Sequence, residues 1–370
     1  MGDQLRPDWS GRLTRAWQQA AAANRAALIV STPTNLLYLC GFAGSQGVLV
    51  LSANARWLML DGRYDQATRE AIAAGDVGPV EVRTVPSRFD QALADVCASL
   101  PAGEIAFEGD HVTVSTLKAW QTAIPAREFA GTSGLIEKLR IVKDAYELRA
   151  IRRACRLTSD VAGHLSSWVA EGRTERQVAS DIDAALARAG CTSLAFPTIV
   201  ASGPNSAHPH ARPTDRRLTK GDLVVLDFGG VLDGYCGDLT RMAGVGQIEA
   251  NARSLVDAVR SAQAAAIAAV RAGSLGSDVD AAARHVLTSK GWGDAFVHAT
   301  GHGLGLDVHE APRLGRDTAS PVRLDAGMVC TIEPGAYVEG LGGARLEDDV
   351  LVTAEGCEVL TEAPIELLIV

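Results

Sequence analysis

One pattern occurs twice in the sequence, as Leu218-Thr-Lys-Gly-Asp-Leu-Val-Val-Leu-Asp-Phe-Gly229 and as Leu324-Asp-Ala-Gly-Met-Val-Cys-Thr-Ile-Glu-Pro-Gly335. Each copy runs from Leu-x-x-Gly through a strand-like stretch to an acid, with a glycine two positions later. Each copy then crosses a Gly-rich turn and reaches a second acid. Two matches in the same order, about one hundred residues apart, indicate a duplicated unit. The acids are Asp227 and Asp238 in the first copy, and Glu333 and Glu347 in the second.

A helical stretch precedes each copy. It lies between two glycines that are 18 residues apart and begins with a capping signal. The pattern predicts two helix–helix–strand–strand halves that pack about a pseudo-twofold axis, each offering two carboxylates on its strands; two unrelated amphipathic halves are the alternative. The long amphipathic stretch Asp144–Val169 predicts an earlier helix. The bracketing and capping residues are Gly172, Thr174, Gln177 and Gly190, then Gly273, Ser277, Asp280 and Gly291.

The first third of the chain predicts a smaller α/β domain, because short apolar runs alternate with helical periodicity. A length of 370 residues fits two domains. The stretch Ala130–Gly134 predicts a link between them, which gives domains of residues 1–134 and 135–370. The predicted strands are Ala27–Ser31, Gly47–Ser52 and Arg56–Leu60, and the predicted helices are Trp9–Asn24, Asp65–Ala74 and Phe89–Leu100.

Composition narrows the class of protein. The hydrophobic fraction of 47% supplies a sizeable core, but no apolar run reaches the roughly 18–20 residues that span a bilayer. The net charge of −9 and the absence of a Lys/Arg block argue against nucleic acid as a partner. Seven scattered cysteines and an N-terminus without a signal-peptide pattern predict reduced thiols and a cytoplasmic location, with no membrane partner.

Four carboxylates from paired strands predict a metal site. Like charges in an apolar setting repel by several kcal/mol unless they are protonated or share a cation. Two divalent ions would cancel four carboxylates, and bridging carboxylates hold such ions about 3.5–4 Å apart. His302, within Gly301-His302-Gly303, would add a neutral ligand. The alternative is that each acid is an ordinary turn residue.

The motifs around these acids resemble, in family order, those of the pita-bread metallopeptidases and, within them, the proline-specific aminopeptidase P and prolidase branch. The similarity covers almost the whole chain. In the C-terminal part it rests on Ser202-Gly-Pro-Asn-Ser-Ala-His-Pro-His210, Asp227-Phe-Gly-Gly230, Asp238-Leu-Thr-Arg241, Thr300-Gly-His-Gly-Leu-Gly-Leu-Asp-Val-His-Glu310, Ile332-Glu-Pro-Gly335 and Arg345-Leu-Glu-Asp348. In the N-terminal part it rests on Tyr38-Leu-Cys-Gly-Phe-Ala-Gly-Ser-Gln-Gly47 and Asp61-Gly-Arg-Tyr64.

This resemblance implies a fold and a metal centre. The fold is an α+β pita-bread catalytic domain, in which duplicated halves surround a curved antiparallel sheet, with a smaller creatinase-like α/β domain at the N-terminus. Asp227 would chelate one ion, Asp238 and Glu347 would bridge two, and His302 with Glu333 would complete the second. The ions would be Mn²⁺ first, with Co²⁺, Zn²⁺ or Fe²⁺ as alternatives. The family also implies a homodimer.

The resemblance further implies catalytic residues. A metal-bridged hydroxide would be the nucleophile, and Glu333 would help to move its proton. His210 and His309 match histidines that steady the substrate carbonyl and the developing oxyanion. His298 matches a histidine that faces the proline side of the substrate. Arg345 matches an arginine that braces the bridging carboxylate. Position 208 is also a histidine, so either imidazole could be the catalytic one; His210 is preferred because it follows proline.

The expected activity is hydrolysis of the Xaa-Pro bond in peptides with proline at the second position. The stretch Ala43-Gly-Ser-Gln-Gly-Val-Leu-Val50 is uncharged where several prolidases carry a charged cluster, which favours release of the N-terminal residue from longer peptides, the aminopeptidase P reaction. An Xaa-Pro dipeptidase is the alternative. A metal-free creatinase-like amidinohydrolase or a non-catalytic binding relative would have lost ligands, and all five are present.

Overall fold

The structure is a computed structural model that describes residues 6–316 and 321–370. The chain divides into two compact units, with the boundary between Arg140 and Ile141. The stretch Ala130–Gly134, which was predicted to be a link, instead gives most of its residues to the strand Phe129–Thr132. That strand pairs with Ile105–Glu108 at the sheet edge, so small residues alone were a misleading sign of a linker.

The first unit is a six-stranded mixed sheet flanked by helices. The three predicted strands and three predicted helices are present, and the two central strands are fully buried apolar runs. The helices are α1 (Trp9–Ala22), α2 (Pro33–Cys40), α3 (Gly62–Ala74), α4 (Phe89–Cys97), α5 (Val114–Ala123) and α6 (Glu137–Arg140). The strands are β1 (Ala27–Val30), β2 (Val48–Leu51), β3 (Arg56–Asp61), β4 (Glu81–Val85), β5 (Ile105–Glu108) and β6 (Phe129–Thr132), in the order β4-β3-β2-β1-β5-β6.

The second unit packs helices against largely antiparallel sheets, in which the strand Leu368–Ile369 pairs in parallel with Leu239–Gly244. Its helices are α7 (Ala145–Ala162), α8 (Glu175–Ala189), α9 (Ala250–Ala269) and α10 (Gly276–Ser289), with short 3-10 turns at Leu165–Ser167, Gly203–Ala207 and Gly293–Ala295. Its first strands are β7 (Ser193–Leu194), β8 (Ile199–Ser202), β9 (Leu223–Phe228), β10 (Gly230–Leu232), β11 (Tyr235–Cys236) and β12 (Leu239–Gly244). The later strands are β13 (Gly301–Gly303), β14 (Glu310–Leu314), β15 (Val329–Ile332), β16 (Gly335–Val338), β17 (Gly342–Arg345), β18 (Asp348–Val352), β19 (Cys357–Val359) and β20 (Leu368–Ile369).

The two halves of this unit repeat one architecture, as the sequence predicted. Strands β8, β9 and β12 are antiparallel neighbours in one sheet, and β13, β15 and β18 are antiparallel neighbours in the other. The same backbone contact opens each half: the amide of Gly172 donates to Leu218 at 2.8 Å, and that of Gly273 to Leu324 at 2.7 Å. The glycines before and after the capped helix have positive φ in both halves, with values of 85° and 104° in the first and 90° and 84° in the second.

The halves share a hydrophobic core. Along β9, Leu223 and Val225 face the cluster that contains α9 and α10, whereas Val224 and Leu226 face the cluster of α8. Val350 of β18 belongs to the first of these clusters. Because alternate residues of a strand face the same side, Asp227 is expected on the face of Leu223 and Val225, toward the second half.

Two helix ends differ from the sequence prediction. Thr174 and Gln177 form the predicted reciprocal cap of α8, but α10 begins at Gly276, and Asp278 rather than Ser277 caps its first turn. The predicted helix Asp144–Val169 ends at Ala162, and a 3-10 turn follows it. Across the described residues, the helices are too short or too polar to cross a bilayer.

Candidate metal centre

The five predicted metal ligands meet in one cleft of the second unit, with a volume of about 810 Å³. Both halves contribute, and each ligand lies in or next to a strand, where the backbone is held by a ladder of hydrogen bonds. Asp227 lies within β9, Asp238 directly before β12, His302 within β13, Glu333 directly after β15 and Glu347 directly before β18.

The ligand atoms are close enough to share cations. His302 Nε2 lies 3.3 Å from Glu333 Oε1 and 3.9 Å from Asp238 Oδ2. One ligand atom from each of Asp238, His302 and Glu347 lies within 4.8 Å of the others. The fold therefore brings acids that are about one hundred residues apart in the sequence close together in space.

The hydrogen-bond pattern tests whether a metal fits. Asp227, Asp238 and Glu347 are at most 7% exposed, and each has a buried oxygen without a hydrogen-bond partner in the described part of the chain: Oδ1, Oδ1 and Oε1. An unpartnered buried carboxylate oxygen costs several kcal/mol. Carboxylates with one imidazole are a donor set that suits divalent ions such as Mn²⁺. The residues present therefore fit a metal centre.

Electrostatics point the same way. Burial, together with the neighbouring carboxylates, raises the pKa of Asp238 and of Glu347 well above the ordinary carboxyl value. Burial also raises the pKa of Asp227, although the charge of Arg345 opposes that shift. Without cations these groups would hold protons at pH values where exposed acids have lost them, and divalent ions would take the place of those protons.

His302 and Glu333 form an interacting pair. Burial opposes ionisation of Glu333, but the hydrogen bond and charge of His302 outweigh it, so that the pKa of Glu333 lies below the ordinary value. His302 Nδ1 lies 3.1 Å from the carbonyl oxygen of Gly303, which makes that nitrogen the donor. Nε2 is directed at the carboxylates and lies 3.3 Å from Glu333 Oε1, and a bound cation would take the place of the proton between them.

A tyrosine that the sequence did not single out connects two predicted site residues. The guanidinium of Arg345 contacts Asp227 and donates to the hydroxyl oxygen of Tyr337 at 2.8 Å. The Tyr337 hydroxyl lies 2.9 Å from His298 Nε2. Burial raises the pKa of Tyr337 to about 12, so the hydroxyl keeps its proton. It donates a hydrogen bond to His298 Nε2. Only the position of Tyr337 in β16, beside the Glu333 motif, could have indicated this role.

The three predicted catalytic histidines line the cleft but differ in their hydrogen bonds and in their exposure. Both ring nitrogens of His298 are engaged, because Nδ1 lies 2.8 Å from the Ala299 carbonyl and Nε2 accepts from Tyr337, which leaves its ring carbons for contacts in the cleft. Burial lowers the pKa of His298 and of His309. His309 packs against His302 with ring centroids 4.3 Å apart. His210 also lines the cleft and His208 does not, although both are exposed.

Comparisons with known proteins agree with this geometry. Residues 149–354 match the model of metallopeptidase family M24, and residues 12–142 match the creatinase/prolidase N-terminal domain. The first match covers more than half of the chain and includes all five predicted ligands. The chain belongs to metallopeptidase family M24. The predicted family and the class of metallo-hydrolase are thereby confirmed.

Relatives of this M24 peptidase span nearly its whole length. An uncharacterized peptidase, YqhT, of Bacillus subtilis is 34% identical over 92% of this chain and 95% of that protein. The solved Xaa-Pro dipeptidase from Bacillus anthracis has a TM-score of 0.92 at 34% identity and covers 98% of this chain and 100% of its own. The X-Pro aminopeptidase from Thermotoga maritima has a TM-score of 0.86 at 32% identity. The match covers 95% of this chain and 100% of that chain. The predicted fold is confirmed by these structures.

Several residues at the rim of the cleft had no clear signal in the sequence. Arg212 and Arg313 line it with exposed side chains, and Phe196, Pro197 and Pro213 give it an apolar wall. None of these residues belongs to the motifs that carry the family resemblance. Arg313 follows the His309 motif closely, and this proximity was the one available signal.

Replacing Tyr337 by phenylalanine is expected to lower kcat/KM by about 10- to 100-fold, the range for partners that orient metal-site residues. The change removes the hydroxyl that orders His298 and Arg345 but leaves every predicted ligand in place. Tyr235→Phe, at a buried tyrosine outside the cleft lining, is the matched control. Peptidase kinetics and metal content are measured together. Unchanged kcat/KM in the Tyr337 variant would show that the connection has no part in catalysis.

Proposed function

We propose that this M24 peptidase hydrolyses the peptide bond that precedes a proline at the second position. The observation that carries the proposal is the convergence of Asp227, Asp238, His302, Glu333 and Glu347, with unpartnered carboxylate oxygens, in one cleft. The similarity to an Xaa-Pro dipeptidase and an X-Pro aminopeptidase supports the choice of substrate. Retention of all five ligands argues against a metal-free relative.

Each side chain has a separate task in the proposed reaction. Two divalent ions bound by the five ligands would polarise the scissile carbonyl and lower the pKa of an attacking water. Glu333, held as a carboxylate beside His302, accepts the proton of that water. His210 and His309 orient the carbonyl oxygen and stabilise its developing charge. Arg345 holds Asp227 in place.

The substrate bond explains the apolar part of the cleft. A bond before proline is a tertiary amide without an N–H, so the enzyme needs no acceptor at that position. Phe196, Pro197 and Pro213 offer contacts for apolar groups, and His298 presents ring carbons rather than a hydrogen-bonding nitrogen. The pyrrolidine ring is proposed to bind on the His298 side.

The finer proposal is an aminopeptidase that accepts Xaa-Pro-peptides. Space supports it: a cavity of about 590 Å³ shares His298 and Arg313 with the cleft, and another of about 620 Å³ shares Phe196 and Pro213. Residues beyond proline can therefore be accommodated on either side of the cleft. The uncharged stretch Ala43–Val50 supports the same choice.

A dipeptidase is the second candidate, and one observation favours it. Arg212 and Arg313 are exposed at the cleft, and neither forms an ion pair within residues 6–316 and 321–370. Guanidinium groups suit recognition of a free carboxylate, which an Xaa-Pro dipeptide presents close to the scissile bond. A tripeptide presents the same group one residue farther away.

Paired substrates distinguish the two. Ala-Pro-Ala is expected to be cleaved with a kcat/KM at least about tenfold above that of Ala-Pro, a difference of about 1.4 kcal/mol. Ala-Pro amide, which lacks the carboxylate, is the control for the arginines and should be cleaved no more slowly than Ala-Pro. Turnover of Ala-Pro alone, lost in the amide, would contradict the aminopeptidase and establish the dipeptidase.

Three further properties belong to the proposal. Mn²⁺ is proposed as the native ion because carboxylates dominate the ligand set. A homodimer and a cytoplasmic location remain predictions from the family resemblance and from the sequence. Metal analysis of the purified protein and its sedimentation in solution would test the first two.

A further inference from the structure

A buried polar residue stands two positions after each of the two predicted bridging acids. Thr240 follows Asp238 in the first half, and Asp349 follows Glu347 in the second. Thr240 lies in β12 and Asp349 in β18, and both side chains are fully buried. Thr240 pairs with Asp227 and Asp349 pairs with Thr331, so the two residues share a spacing from the acids but not a register.

Thr240 supports the acid of the opposite half. Its hydroxyl donates to Glu347 Oε2 at 2.6 Å, and its carbonyl oxygen accepts from the Glu347 amide at 3.2 Å. One oxygen of Glu347 is occupied in this way, while Oε1 remains without a partner and faces the cleft residues. The contact crosses the pseudo-twofold axis, because Thr240 belongs to one half and Glu347 to the other.

Asp349 makes the reciprocal contact. Its Oδ2 accepts from the backbone amide of Asp238 at 2.9 Å. The same oxygen accepts from the thiol of Cys155 in α7 at 3.2 Å. A hydrogen bond that is buried in this way is shielded from exchange with water. The hydrogen bond to Asp349, a residue of the second half, therefore restrains the backbone of Asp238.

We propose that Asp349 is a positioning residue that fixes Asp238 for metal binding, as Thr240 fixes Glu347. The inference rests on the proposed role of Asp238 as a bridging ligand. Asp238 follows the short strand β11 and precedes β12, so its own amide lies outside a strand ladder. Without Asp349 that amide has no acceptor in the described structure, and Asp238 loses its anchor.

The experiment measures metal binding, not peptide hydrolysis. Asp349→Val replaces the acceptor with an apolar group of similar volume, and Asp349→Asn keeps an acceptor oxygen while removing the charge. Cys155→Ala is the matched control, because it removes the other donor to the same oxygen and leaves Asp238 unaltered. Mn²⁺ is titrated into each metal-free protein by calorimetry, and electron paramagnetic resonance separates spin-coupled pairs from single ions.

The valine variant is expected to bind at least one Mn²⁺ ion about 10- to 100-fold more weakly and to show the spectrum of single ions. The asparagine variant is expected to restore affinity to within a few-fold of the native protein, and Cys155→Ala to match the native protein. If the valine variant does not fold, Asp349→Ala takes its place with the same expectation.

Two outcomes would overturn the inference. In the first, the valine variant holds a spin-coupled pair with native affinity. In the second, it and Cys155→Ala weaken binding equally, which would make Asp349 a general structural residue. Failure of the proposed function is distinct, because the native protein itself would then bind no pair of ions, and the positioning role would fall with it.

Discussion

An Asp238→Asn variant is expected to bind at most one ion and to lose roughly 10³-fold or more of kcat/KM. A bridging carboxylate contacts both ions, and metal activation supplies several kcal/mol of transition-state stabilisation, about 1.4 kcal/mol for each factor of ten. The substitution preserves the shape of the side chain but removes its charge. Peptidase kinetics and metal content per chain are the measurements.

The same substitution is expected to have the opposite effect on the metal-free protein, where it should raise thermal stability. Asp238 is 4% exposed and has a buried oxygen without a partner, so at pH values above its raised pKa the substitution relieves repulsion from Asp227 and Glu347. The metal-free variant should therefore unfold at a higher temperature than the metal-free native protein. Asp233→Asn, at an exposed acid of the same hairpin, is the control and should change neither property. Native activity in the Asp238 variant would contradict its role as a ligand.

The metal-free protein is expected to lose stability as the pH rises above the ordinary carboxyl range. Burial raises the folded-state pKa of Asp238 and Glu347, so the folded state binds protons that the unfolded state has released. Their stabilising contribution is complete below the unfolded values of about 4 and is lost as pH rises through the raised folded values. The slope is about 1.4 kcal/mol per pH unit for each extra proton held.

Above the ordinary histidine pKa of 6.5 the neighbouring groups do not reverse that sign, whereas below it the lowered pKa values of His298 and His309 oppose it. The pKa of Asp227 is also raised, again chiefly by burial. The pKa of Glu333 is lowered despite burial, by His302, so its contribution is lost only as pH falls below the ordinary value of 4.5. Thermal unfolding from about pH 6.5 upward, with chelator and with Mn²⁺, tests the expectation where the histidines no longer contribute to the slope. Bound Mn²⁺ should reverse the slope, because ions compete with the protons. A flat profile in chelator would show that the acids do not interact.

Local signals in the sequence predicted most of the catalytic unit. The paired glycines succeeded because a positive φ favours glycine wherever it occurs, so Gly172 and Gly273 mark the same turn in both halves. The prediction of the Thr174 cap of α8 was also correct, because the donors and acceptors of this cap lie within four residues of one another. Asp227 and Glu333 could be assigned to strand ends because each follows an apolar run.

Other features depend on contacts that no local pattern encodes. Asp280 looked like a capping residue, but the fold uses it to bind the amide of Thr300 and the guanidinium of Arg284. Tyr337 and Asp349 act through partners on other elements, so sequence spacing carried no sign of them. The helix α2 was missed because Pro33–Cys40 is a short apolar run that can form either a helix or a strand.

The most direct test of the account is the location of the ions themselves. Crystals grown with Mn²⁺ and measured at the manganese absorption edge should give two anomalous peaks in the cleft, about 3.5–4 Å apart. Asp238 and Glu347 should each contact both ions, with His302 on one of them. A single peak, or peaks that contact acids of only one half, would contradict the claim that the two halves join to hold a shared metal pair.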